Sequence, residues 1–155
     1  IKEKNIFTVV VNKNNQLLAE EELIDISDLR ALAVEFLDNG GGEGEEACDY
    51  CQGARDSKSS DNPDKAIISL KNDRETSYKV YIAVQNELVA AYNELRDREF
   101  LRLFPNEGMS FVTANKKYSD PRTSPEEKER LKPKLSEVKL LFPQKLSEAE
   151  PSKTK

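Results

Sequence analysis

Ala66-Ile67-Ile68-Ser69-Leu70-Lys71-Asn72-Asp73-Arg74-Glu75-Thr76-Ser77-Tyr78 opens into an unbroken amphipathic run that lasts to about Phe100. Ile67, Ile68 and Leu70 form a short β-prone apolar run, and Asn72 and Asp73 are turn formers. Thr76 or Ser77 can accept a hydrogen bond from the free amides of a first helical turn. The stretch therefore reads as strand, polar turn and capped helix, a βα unit with a polar corner facing solvent. Such a corner suits a phosphate or a partner surface. No glycine lies between Leu70 and Tyr78, so the close backbone approach of a Rossmann or P-loop turn is not available and a nucleotide site is not expected.

Outward from this unit, the chain begins with Ile6-Phe7-Thr8-Val9-Val10-Val11, β-branched and aromatic. A turn cluster, Asn12 to Asn15, and a return arm, Gln16 to Ala19, predict an opening antiparallel hairpin. Leu29, Leu32, Ala33, Phe36 and Leu37 then recur at helical spacing, stopped by Gly40. Asp25 is the favoured N-cap and Ser27 its rival, because Asp25 pairs Ile24 with Leu29 as a hydrophobic staple. From Asn39 to Asp64 glycine, serine and acidic residues replace apolar ones, which predicts a mobile insertion over 40–64 that adds nothing to the core. After the Ala66–Leu70 strand, Val80, Val84, Leu88, Ala91 and Leu95 make one stripe expected to pack on a sheet. Arg96, Asp97, Arg98 and Glu99 read as a solvated helix end, with Glu94 and Arg98 a weak i, i+4 pair.

Past Leu103 the pattern weakens, and 105–124 is expected to be irregular. Ser124-Pro125-Glu126-Glu127 is a good helix start, with Pro133 expected to break or restart that helix. Phe142 to Glu148 is expected to supply a last short strand, and 151–155 is a polar tail. The order predicts an α+β fold, a small mixed β-sheet with two main helices packed on one face, plus a C-terminal helical extension. An open sheet edge can pair with a partner strand, and the expected contact strands are Ile6–Val11 and Ala66–Leu70.

At 155 residues the chain is long enough for one domain with a real core, expected over 1–150. Only 37% is hydrophobic and 34% charged, so part of it contributes little burial. A net charge of −5 without a basic aromatic stripe argues against nucleic acid. The longest apolar runs fall far short of the roughly 20 residues needed to cross a bilayer. The chain starts at Ile1 without an initiator Met, which suggests a fragment or a processed product.

Cys48-Asp49-Tyr50-Cys51 invites a redox or zinc reading. With no other cysteine and no histidine, only two soft ligands exist where a structural zinc needs four. The acidic, glycine-rich surroundings would raise a thiol pKa, so a local disulfide between Cys48 and Cys51 is favoured over redox catalysis. It would close a loop too short to add much stability. The missing histidine also removes the commonest general base, and the paired acids Glu45-Glu46 and Glu126-Glu127 read as solvated charges. No enzyme, cofactor or metal site is expected. Lys71, Asn72, Asp73, Arg74 and Tyr78 are the candidate partner-binding residues. The plainer reading makes Asn72 and Asp73 turn and cap residues and leaves Arg74 simply exposed.

Ser69-Leu70-Lys71-Asn72-Asp73-Arg74 with Thr76-Ser77-Tyr78, the helix text from Val84 to Asp97, and Phe142-Pro143 with Ser147-Glu148-Ala149-Glu150-Pro151 resemble the periplasmic domain of the ExbD/TolR family of biopolymer transport proteins, in its Bacteroidetes-type form. The resemblance covers about two thirds of the chain, with 40–64 and 105–124 as insertions. It implies a non-enzymatic, energy-coupling role: a single-pass inner-membrane subunit with this domain in the periplasm. The transmembrane helix, bearing an essential aspartate, is expected upstream of residue 1. The implied partners are an ExbB/TolQ-like channel subunit, a TonB/TolA-like transducer that uses the proton motive force, and a second copy in a homodimer. The resemblance also admits a TolR-like envelope-integrity subunit that binds peptidoglycan or a TolA-type partner. Asp73 matches the aspartate after the third strand in many relatives, and Tyr78 the aromatic that begins the next helix.

Overall fold

The computed structural model describes residues 1–149. The tail at 151–155, and Glu150 and Pro151 of the resembling strings, lie outside the described residues. The fold is α+β. Strands β1 (Ile6–Val11), β2 (Leu17–Ala19) and β3 (Glu22–Ile24) precede helix α1 (Ile26–Leu37). Then come β4 (Ile67–Asn72), α2 (Tyr78–Leu103), α3 (Phe111–Ser119), α4 (Pro125–Leu141) and β5 (Leu146–Glu148). Where one domain was expected, the chain divides into two compact units, residues 1–91 with the strand from 145 onward, and Tyr92–Gln144.

The first unit holds one sheet in the order β3-β2-β1-β4-β5. The β1–β2 and β2–β3 pairs are antiparallel, β1–β4 and β4–β5 parallel. Alternation along β1 buries Phe7, Val9 and Val11 and leaves Ile6, Thr8 and Val10 half-buried. The register Phe7↔Ile68 and Val9↔Leu70 aligns the buried side chains of β1 and β4 on one face. Helix α1 covers that face, with the Phe36 ring centred 5.3 Å from that of Phe7. Arg30 of α1 donates to Glu87 of α2 at 2.8 Å, and the first part of α2 buries Val84, Leu88 and Ala91. Asp25 caps α1, accepting from Ser27 N at 3.3 Å.

Strand topology corrects one expectation. Strands β1 and β4, expected to meet a partner, are both interior; the edges are β3 and β5. The short β3 was not foreseen, because Glu20 and Glu21 carry the tight β2–β3 turn at positive φ where a sequence reader looks for Asn-Gly.

The segment 40–64 is also corrected. Rather than a mobile insertion it is a packed loop, with Cys48, Cys51, Ser60 and Asp61 buried. Asn39 Nδ2 donates to the carbonyls of Asp56 at 2.8 Å and Ser60 at 2.7 Å, and its Oδ1 accepts from Asp56 N at 3.0 Å. Asp61 is bonded to Lys4 Nζ at 2.6 Å and Asn5 Nδ2 at 3.2 Å, which ties the loop to the start of β1. Its order comes from polar side chains and close backbone packing, which a count of apolar residues does not register.

The second unit has its own core of Phe100, Phe111, Ala114, Leu131, Leu135 and Val138. The supposed irregular stretch 105–124 contains α3, capped by Ser110, with Phe111 and Ala114 buried. Nor is the far end of α2 a solvated one. Glu99 is fully buried and accepts from Arg98 at 3.1 Å and Arg102 at 2.6 Å, while Arg96 lies over the Phe111 ring and donates to the Phe142 carbonyl. Ser124 caps α4, accepting from Glu127 N at 3.2 Å. Pro133 does not break α4, because it is exposed and the Glu129 carbonyl deprived of its helical donor lies on a residue open to water.

Glu107 joins α4 to the turn after α2, accepting from Arg130 at 3.1 Å and from the Lys134 ammonium. The Arg130 and Lys134 donors hold its carboxyl below the ordinary glutamate range. A depressed folded pKa gives stability that is present above the unfolded value and lost as pH falls through the folded one. This unit is therefore expected to weaken below about pH 4.5. Glu107→Gln should cost about 1 kcal/mol near neutrality and flatten that acid dependence, as read by urea unfolding at several pH values.

Candidate functional site

The corner from Lys71 to Tyr78 is built against the β1–β2 turn. Asp73 is buried: its N–H donates to Val11 O at 2.9 Å, its Oδ1 accepts from Glu75 N at 2.8 Å, and its carbonyl accepts from Thr76 N at 3.0 Å. Thr76 Oγ1 donates toward the carbonyls of Val11 and Asn12 at 3.3 and 3.1 Å. Ser77 Oγ caps α2 by accepting from Val80 N at 3.2 Å, and Ser77 N donates to Asn15 Oδ1 at 3.0 Å. Asn15 reaches this point from the left-handed region at φ 59°, in a turn where Asn12 Oδ1 accepts from Asn14 N and Gln16 N.

These bonds sort the five candidates. Asp73 builds the turn, and the half-buried Asn72 supports it by donating to Asp73 O at 3.4 Å. Lys71, Arg74 and Tyr78 remain exposed, Tyr78 at 77%. The amides of Glu75, Ser77 and Val80 are already taken by side chains, which leaves fewer N–H donors for an anion at this helix start. What these three side chains expose at the corner is two cations and one aromatic ring.

Edge strand β5 is fastened next to this surface. Gln85 Nε2 of α2 donates to Glu148 Oε1 at 2.6 Å, and the Tyr81 hydroxyl bonds the same carboxylate. Burial, then the bond to Glu148, pushes the Tyr81 phenol up to about 12. A raised folded pKa contributes stability that is present below the unfolded value and lost as pH climbs toward the folded one. The sheet-bearing unit is thus expected to lose stability between about pH 10 and 12, and Tyr81→Phe should remove that dependence in alkaline unfolding curves.

Cys48 and Cys51 are joined as a disulfide, and both are buried. The Arg55 guanidinium donates to the carbonyls of Cys48 at 2.7 Å, Cys51 at 2.6 Å and Gly40 at 3.3 Å, closing the small ring from outside. Among the described residues no group of three or more acidic, cysteine or histidine side chains is arranged to hold a metal, and no helix is long and apolar enough to cross a membrane. The residues that sequence reading missed are Asn39, Arg55 and the Asn5–Asp61 pair. Their only advance signal is the clustering of Asn, Gly and Ser around them, which reads equally well as disorder.

The sheet-bearing unit of this α+β chain presents the sheet edges β3 and β5 and an exposed polar corner. No protein-family model matches the chain, and no curated protein matches it.

Proposed function

We propose that the chain is the periplasmic domain of an inner-membrane motor subunit of the ExbD/TolR type, coupling the proton motive force to a TonB-type transducer for outer-membrane transport. The observation that carries this reading is the coincidence of text and element: the resembling string from Ser69 to Tyr78 runs through β4 and its turn into α2, and Val84–Asp97 lies wholly within α2. A mixed sheet whose edge strands among the described residues are β3 and β5 supports a partner-binding role, since an extended segment can add to an edge through main-chain hydrogen bonds. Lys71, Arg74 and Tyr78 then act as recognition side chains. The channel subunit of such a motor would be met through a transmembrane helix, with this domain in the periplasm.

The reading is tested by titrating the isotope-labelled chain with peptides from the periplasmic linker of a TonB-type protein. Amide shifts are expected in β3 around Leu23 and in β5 from Leu146 to Glu148. Sedimentation with purified cell wall, with no peptide response, would replace the transducer reading by the TolR-like, peptidoglycan-binding one.

A further inference from the structure

A groove of about 840 Å³ opens in the sheet-bearing unit between β1, the β2–β3 turn, α1 and the 38–64 loop. Its apolar floor includes Ile6, Leu32 and Phe36. The rim carries Glu3, Glu20, Glu21 and Glu35, and none of the four forms an ion pair among the described residues. Of the lysines on the groove, Lys4 is committed to Asp61 at 2.6 Å, which leaves Lys58 against these carboxylates and Asp56. In volume the groove falls within the range of ligand sites, and its walls demand an occupant that is both apolar and positively charged.

We propose that this groove docks a basic, apolar segment of a partner polypeptide, with a leucine-sized side chain on the Ile6–Leu32 floor and a lysine or arginine among Glu3, Glu20 and Glu35. The inference stands apart from the motor reading, for it needs only the groove and its charge. A bare metal ion would leave the apolar floor uncovered, and an anionic lipid surface would be repelled by the rim. The free groove holds its carboxylates at a cost: although Glu20 is exposed overall, partial desolvation raises its carboxyl above the ordinary range, and the neighbouring charges of Glu21 and Glu3 raise it further, against a lowering bond from the Thr8 backbone. A cation placed there relieves that repulsion. The turn keeps Glu20 and Glu21 in place at φ 50° and 70°, in a conformation that glycine or asparagine adopts more easily.

The test uses the whole chain, isotope-labelled, titrated with a short amidated peptide of alternating leucine and lysine and with its leucine–glutamate counterpart. Saturable shifts are expected at Ile6, Thr8, Leu32 and Phe36 with the lysine peptide alone, weakening as salt is raised. The double variant Glu20→Gln, Glu35→Gln alters exposed side chains and should bind about tenfold more weakly, and Leu32→Ala should weaken binding through the floor. The proposal is overturned if the lysine peptide binds elsewhere or not at all, or if the double variant binds it unchanged. Equal binding of the glutamate peptide, or the same shifts produced by calcium alone, would also overturn it.

Discussion

Asn39→Ala is expected to destabilise the sheet-bearing unit by about 3 kcal/mol. The side chain is buried and makes three hydrogen bonds to the backbone of Asp56 and Ser60, so its loss strands the Asp56 amide and leaves the Asp56 and Ser60 carbonyls with only the donors Ser59 N and Gly41 N. Asn39→Asp keeps the shape but sets a carboxylate against those two carbonyls and should be no better tolerated. Gly41→Ala makes an independent test of the same loop, because a Cβ there would lie 2.2 Å from the Asp56 carbonyl oxygen. Gly53 is equally confined, 2.4 Å from the Asp38 carbonyl. Reduction of the Cys48–Cys51 bond, which closes a ring with a sequence separation of 3, should cost less than Asn39→Ala. Denaturant unfolding of Asn39→Ala, Gly41→Ala and the reduced protein ranks the three. If reduction proves the most damaging and Asn39→Ala costs less than about 1 kcal/mol, the polar scaffold is not what holds this loop.

Phe100→Ala is the second large effect, expected at about 3 to 5 kcal/mol. Phe100 is fully buried in the core of the Tyr92–Gln144 unit, its ring 5.3 Å from that of Phe104 and 6.4 Å from that of Phe111. Truncation empties the centre of a core built from a handful of side chains, and few neighbours can collapse into the space. Loss of helical signal, together with amide exchange within α3 and α4, should reveal it. Leu140→Ala, at a side chain 78% exposed, is the control and should change stability by less than about 0.5 kcal/mol.

The fold was legible wherever hydrophobic period and caps agreed. The alternation of β1, the stripe of α1 with its Asp25 cap, the βα unit at Ala66–Tyr78 and the Ser124 cap of α4 each combine two independent local signals. What escaped was order without apolar content. The glycines at 41, 42 and 53 suggested freedom, yet each sits where a Cβ would meet a backbone carbonyl oxygen at 2.2 to 2.4 Å. Glu99 looked solvated because its text is all charge, but a helix that continues to Leu103 carries it into the core between two arginines. Strand β3 was hidden by a glutamate pair at positive φ.

The candidate site was legible in part. Lys71, Asn72, Asp73, Arg74 and Tyr78 were all read as candidates, with a plainer reading of Asn72 and Asp73 as turn residues and Arg74 as exposed; the structure places Asp73 in the turn, buried, and Arg74 in the open, as the plainer reading had it. Which strands lie at the sheet edge depends on long-range pairing, β1 with β4 and β4 with β5, and no local pattern encodes it. The groove over Ile6 and Leu32 likewise gathers side chains from β1, a turn, a helix and a loop that are distant in sequence.

The most direct test of the motor reading is the sequence of the parent polypeptide immediately upstream of Ile1. The account predicts a single apolar helix of membrane length, roughly 20 residues, that carries an aspartate. A cleavable signal sequence or a further water-soluble domain in that position would contradict it.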